Sequence, residues 1–144
     1  MSKNSYPACT YRVSAKAVIV VDGKLLLIRE NGNHWDLPGG GIEHFEDIDT
    51  ALKREVKEEI GLDIIDTESH SLQPWITYDY DKGWEKPILY LVYKITTSGE
   101  LIPTNNTTIE FFDQSGVEKA SFEKHIEKFK SLLVEAAFSV PKTR

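Results

Sequence analysis

The chain is 144 residues long, a length that suits one domain over residues 1–144 with an enclosed apolar core. Its composition, 40% hydrophobic and 28% charged, is that of a soluble globular protein rather than a disordered or fibrous one. A formal net charge of −6 argues against sequence-independent binding of nucleic acid, and no apolar run is long enough to span a bilayer.

The opening residues MSKNSYPACTYR lack the apolar stretch of an export signal, and Cys9, the single cysteine, has no partner for an internal disulfide. Both point to a reducing, cytoplasmic setting. In chain order, residues 13–30 predict a β-hairpin, with two apolar runs flanking Asp22-Gly23, a dipeptide that accepts the positive φ angles of a tight turn. The glycine-rich loop NGNHWDLPGGG follows at 31–41. A helix is predicted from Ile48 to Ile60, stopped by Gly61, which can take the left-handed conformation just past a helix end. Residues 72–80 and 87–97 predict strands; the second is apolar on both faces, as a central strand should be. A short strand is expected at 109–113. Phe122, Ile126, Phe129, Leu133 and Ala137 recur at helical spacing and predict one helix over 121–138, with Pro141 beyond it. This order predicts an α/β fold, a mixed sheet with helices on its faces.

The helix at 48–60 carries the most informative pattern. Ile48, Leu52, Val56 and Ile60 form a stripe spaced i, i+4, i+8, i+12 that must face inward. Lys53, Arg54 and Lys57 point away from it, as solvated side chains do. At about 100° per residue, Glu59 lies only about 40° from the stripe centre, Glu55 about 80° and Glu58 about 140°, all on one side. A charge-rich helix is most often a solvated face. That reading leaves a cost here: like charges at i, i+4 repel, and partly burying Glu59 adds desolvation unless a cation answers it. A divalent metal resolves both, and Mg²⁺, with Mn²⁺ as a substitute, suits an all-oxygen ligand set that also takes substrate phosphate. His34, His44, His70 and His125 are scattered and read as ordinary polar residues.

Gly40, five residues, Glu46, seven residues, then Arg54-Glu55-Val56-Lys57-Glu58-Glu59-Ile60-Gly61-Leu62 meets every fixed position of a 23-residue signature and resembles that of the Nudix hydrolases. The preceding WDLPGG, Trp35 to Gly40, matches what usually stands before that box. The resemblance implies an α/β/α sandwich with a mixed β-sheet, and metal-dependent cleavage of a nucleoside diphosphate linked to another group. It implies Glu55, Glu58 and Glu59 as catalytic magnesium ligands, the Gly39 carbonyl as a further ligand, and Glu55 as first candidate to activate water. Glu46 and Arg54 would be an ion pair fixing the loop against the helix. Metals neutralise the charge of a pyrophosphate, lower the pKa of bound water and orient it at phosphorus, and a nearby carboxylate can take the proton. The partner so implied is a small nucleotide, with no nucleic acid or membrane, for a monomer or homodimer.

Two positions depart from the family pattern. Phe45 stands where a glycine is usual before Glu46. The further acidic residue that many members supply from their second half falls in PTNNTTIEFFD, where Glu110 or Asp113 could serve but Asn105 and Asn106 occupy the first places to look. Trp35, beside the glycine loop, is a candidate to line the substrate pocket or to anchor that loop. Trp75, Tyr78, Tyr80 and Trp84 could stack on a base or simply pack as strand aromatics. A non-catalytic nucleotide-binding module on the same fold is the alternative function, and the complete carboxylate set favours the enzyme.

Overall fold

The computed structural model of the chain describes residues 11–31, 34–67, 75–81, 84–104 and 106–139. Its strands are β1 (Arg12–Val18), β2 (Val20–Val21), β3 (Lys24–Glu30), β4 (Gly39–Gly41), β5 (Asp63–Thr67), β6 (Trp75–Asp81), β7 (Trp84–Ser98) and β8 (Thr107–Phe112). The helices are α1 (Ile48–Ile60), α2 (Gln114–Lys119), α3 (Lys124–Glu127) and α4 (Lys130–Phe138). β7 is the spine of a five-stranded mixed sheet: β1 runs parallel to it, while β5 and β6 pair with it antiparallel. β4 closes the far edge of β1, also antiparallel. A second, antiparallel sheet has the order β2-β3-β8.

The two apolar runs near the start do not form one hairpin. β1 belongs to the mixed sheet and β3 to the smaller one, so only Ile19 to Val21 folds back on Lys24 to Leu26. Both edges of β1 are already paired, by β7 and β4, which leaves β3 to pair with β8 instead. The turn itself follows the sequence: Asp22 and Gly23 both have positive φ, 51° and 74°, the geometry of a two-residue hairpin loop.

Strands β1 and β3 bury both faces, and this makes the sandwich. Ala15, Ala17, Ile19, Leu26 and Ile28 pack with Leu52, Val56 and Ile60 of α1. Val18, Leu25 and Leu27 pack on the other side with Phe122 and with Val117, Ile126, Leu133 and Ala137 of the C-terminal helices. Helices thus cover both sides of the strands, an α/β/α arrangement. No described helix is long and apolar enough to cross a membrane.

Helix α1 has the limits its sequence predicts. Asp47 caps it by accepting from the Thr50 N–H at 2.7 Å, and Gly61 ends it at φ 78°, donating its N–H to the Lys57 carbonyl. The C-terminal periodicity, in contrast, is shared between two helices. Phe122 is tied to Trp35 by a β-bridge, and at Phe129 the backbone leaves the helical region (φ −110°, ψ 16°). α2 was hidden from periodicity because it is only 6 residues long, capped by Asp113, whose carboxylate accepts from the Gly116 N–H at 2.7 Å. Residues 72–74 of the predicted strand lie outside the described residues.

Phe45 takes a left-handed conformation at φ 66° and is fully exposed. The turn before α1 keeps the bend to which glycine is suited, with an aromatic ring in water. The left-handed region costs a bulky residue about 1–2 kcal/mol, and glycine's extra chain entropy returns about 0.5–1 of that. Phe45→Gly is therefore expected to stabilise the protein by about 0.5–1 kcal/mol in urea unfolding.

Candidate active site

The site begins with two glycines. In β4, Gly39 lies opposite Lys16 of β1 at φ 130°, and a Cβ there would collide with the Ala15 carbonyl. Gly40 leaves room on its other side: a Cβ would stand 2.7 Å from the carboxyl carbon of Glu55. The ribbon is thus thin enough for α1 to rest its carboxylates on the backbone. Glu55 sits against Gly40, and Glu59 Oε1 accepts from the Gly39 N–H at 3.0 Å.

One guanidinium organises the acidic groups next to this contact. Arg54 grips Glu46 in a fork, Nε to Oε2 at 2.7 Å and Nη2 to Oε1 at 2.8 Å. Glu46 Oε1 also accepts from the Glu43 N–H at 3.1 Å, which closes the loop into α1. Arg54 Nη1 reaches Glu55 at 2.9 Å and Glu58 at 3.4 Å, and Nη2 donates to the Gly41 carbonyl at 3.3 Å. Arg54 thus gives Glu55 and Glu58 a cation within hydrogen-bond reach. Hydrogen bonding to Arg54 and to the Glu43 backbone holds the Glu46 carboxyl down to about 2.

Glu59 is different. Burial pushes its carboxyl up to about 8, against the opposing pull of the Lys16 charge and the Gly39 N–H. It faces a cleft of about 180 Å³ lined by Lys16, Ile28, Glu30, His34, Asp36, Gly39 and Glu123. Lys16 was missed in the sequence, although a lysine inside the apolar run AKAVIVV was the available signal. Its side chain is 9% exposed and its ammonium lies 3.3 Å from Asp36 Oδ2. His34, Asp36, Glu30 and Glu123 join the cleft by folding alone, since nothing in their spacing ties them together; His34 Nδ1 lies 3.1 Å from Ser121 Oγ.

The remaining candidates lie elsewhere. Trp35 does not line this cleft: its ring meets Phe112 edge-on at 4.9 Å, and the Arg29 guanidinium stacks over it at 4.6 Å. That places it as an anchor of the glycine loop within the core. Glu110 is exposed on β8 opposite Leu27, outside the cleft. Asp113 is occupied in capping α2. The backbone carbonyl of Asn106 accepts from the Asn31 N–H at 3.1 Å, and Asn105 lies outside the described residues, as do the side chains of Trp75, Tyr78, Tyr80 and Trp84.

The donors around Glu59 are hard oxygens of the kind that suit Mg²⁺. Among the described residues, no three carboxylate, imidazole or thiol groups converge on one point. Glu55 and Glu58 are turned toward Arg54, and Glu59 toward Gly39. The donor types fit a divalent ion, and Glu59 carries the clearest demand for one, because its charge is disfavoured by burial.

Glycine ribbon, locked loop and carboxylate helix together bring Glu59 to an acid-lined cleft of an α/β/α sandwich. The sequence model of the NUDIX domain matches residues 10–133, and the chain belongs to that family. It is 33% identical over 92 residues to the nucleoside triphosphatase NudI of Escherichia coli O139:H28 and of Shigella flexneri, covering 58% of this chain and 61% of theirs. The chain therefore matches less than two thirds of the length of these curated relatives. Its fold is similar to that of a MutT NUDIX hydrolase from Burkholderia pseudomallei (24% identity, 88% of this chain and 97% of that one, TM-score 0.72). The E. coli ORF135 protein is similar as well (17% identity, 92% and 95% covered, TM-score 0.75).

Two pH dependences follow from the charges. Glu46 is held below its ordinary 4.5, so its contribution to stability is complete above pH 4.5 and is lost as pH falls toward 2. Melting curves at about pH 3 and about pH 6 are expected to show a smaller difference in Glu46→Gln than in wild type. Glu59 is raised, so folding without metal becomes less favourable as pH rises from 4.5 toward 8. In chelator, Glu59→Gln is expected to melt higher than wild type at about pH 8, with the gain shrinking toward about pH 5.

Proposed function

We propose that the protein is a Mg²⁺-dependent pyrophosphohydrolase, with Mn²⁺ as a substitute, that cleaves a nucleoside diphosphate linked to another group. A nucleoside triphosphate is the first substrate class to try, because the NudI relatives carry that activity in their name. The observation that carries the reading is the seating of Glu59. A carboxylate disfavoured as an anion by burial, at the edge of a cleft and hydrogen-bonded to the glycine ribbon, has a use for a cation that a merely solvated helix does not.

In this reading Glu55, Glu58, Glu59 and the Gly39 carbonyl hold the metal. A divalent ion held there would neutralise phosphate charge and lower the pKa of a bound water. The chain's own residues do the rest. Glu46 and Arg54 fix the loop 41–46 to α1, so that the helix presents its carboxylates at a constant height above the ribbon. Arg54 holds Glu55 through Nη1 at 2.9 Å while its Nε and Nη2 hold Glu46, so the loop contact does not depend on the Glu55 contact. Glu55, resting on Gly40, is the first candidate to accept the proton of the attacking water.

The test is release of pyrophosphate or mononucleotide from a panel of nucleoside triphosphates, nucleotide sugars, ADP-ribose-type compounds and dinucleoside polyphosphates with Mg²⁺. Glu59→Gln is expected to lower kcat by about a hundredfold or more, in line with losing one charged group that acts in the transition state. Undiminished turnover in that variant would remove Glu59 from the metal site. Tight nucleotide binding with no turnover across the panel would favour a binding module instead.

A further inference from the structure

The cleft has a charge that the carboxylate chemistry does not account for. Lys16 lies mid-strand in β1 between Ala15 and Ala17, both fully buried. An ammonium so placed is costly unless it is well paired, and its pairing is loose. Asp36 Oδ2 stands at 3.3 Å, the Leu37 carbonyl at 3.3 Å and the Gly39 carbonyl at 3.5 Å, all longer than the roughly 2.7–2.9 Å of a good charge-assisted bond. Asp36 is itself shared, since its Oδ1 accepts from the Leu37 N–H at 2.7 Å. Gly39 joins the two opposite charges: its N–H is on Glu59 and its carbonyl faces Lys16.

We propose that Lys16 binds the phosphate chain of the nucleotide directly, its ammonium donating to a non-bridging oxygen of the diphosphate that Glu59 faces. This rests on the hydrolase reading, which places a diphosphate in this cleft. Glu30, Asp36, Glu59 and Glu123 line the same cleft and repel such a ligand, whereas Lys16 lines it with a cation fixed by strands on both edges of β1. Lysine is a compact point charge with three donors on a flexible stem, so the ammonium can exchange its long bonds for a phosphate oxygen without backbone movement. The exchange also releases the Gly39 carbonyl, one of the oxygens proposed to hold metal.

Lys16→Met and Lys16→Arg test this by calorimetry with a non-hydrolysable nucleoside triphosphate analogue and with pyrophosphate, both with Mg²⁺, alongside steady-state kinetics. Lys16→Met is expected to weaken binding of both probes and to raise KM on the order of tenfold, the scale of one charge-assisted hydrogen bond. The change in kcat is expected to be much smaller, and Lys16→Arg should recover part of the affinity. Analogue affinity within about twofold of wild type, with only a lower melting temperature, would leave Lys16 as a lock between β1 and the ribbon and overturn the proposal. If Lys16→Met does not fold, wild type with ¹³C-labelled lysines decides. An ε-carbon signal assigned through Lys16→Arg should move with pyrophosphate and Mg²⁺ but not with the free nucleoside, and a signal that stays in place overturns the proposal. The two readings fail separately. Wild type that cleaves nothing on the panel removes the hydrolase, while wild type that turns over with a KM indifferent to Lys16 removes only the phosphate contact.

Discussion

Two absent Cβ atoms set the geometry on which the site depends. At Gly39 the missing methyl lets β4 lie against the Ala15 carbonyl, and at Gly40 it lets the Glu55 carboxylate settle on the backbone. Both gaps fall on the same thin ribbon, one toward the sheet and one toward the helix. A side chain at Gly39 would push β4 off the β1 backbone, and one at Gly40 would displace the Glu55 carboxylate from the ribbon, on the helix that seats Leu52, Val56 and Ile60 against Ala15, Ala17 and Ile28. Packing and chemistry are coupled at this point because the same helix carries both.

Charge is divided unevenly around that contact. Arg54 is bonded to Glu46, Glu55 and Glu58 together, so one arginine closes the loop and pairs with two helix carboxylates. Glu59 is left to Lys16 and a backbone N–H, in a cleft that burial makes inhospitable to its charge. The loop side of the helix is therefore settled as it stands, while the cleft side retains an electrostatic demand.

Much of this could be read from the residues. The limits of α1 followed from a cap, a glycine and a 3.6-residue beat, all local signals, and the graded burial of Glu59, Glu55 and Glu58 followed from the same wheel. The strand on both faces apolar proved to be β7, which has neighbours on both edges. What local pattern could not show was which strands share a sheet. The Asp22-Gly23 turn was legible, but β1 pairs with β7 and β4, and no turn signal carries that information. Gly39–Gly41 pairs as a strand although glycine has low strand propensity; its role lies in what approaches it. Lys16 and Asp36 stand 20 residues apart and meet only in the fold, where Asp36 is bridged to Ile28 of β3. Periodicity places Trp35 nowhere in particular, and only the packed structure shows its ring held between Phe112 and Arg29.

The parallel pairing of β1 with β7 joins residues 12–18 to residues 88–94. Ribbon and helix are close neighbours in the chain and can meet early during synthesis, yet the strand bearing Lys16 lacks its second edge until residue 94 has been made. Contacts so distant in sequence form late, after the entropy of closing a long loop has been overcome. A nascent chain thus holds its acidic helix before the strand that carries Lys16 has both of its edges. The cleft side of the ribbon should therefore gain its order after the loop side, so that the two flanks of one helix acquire their surroundings at different stages of folding.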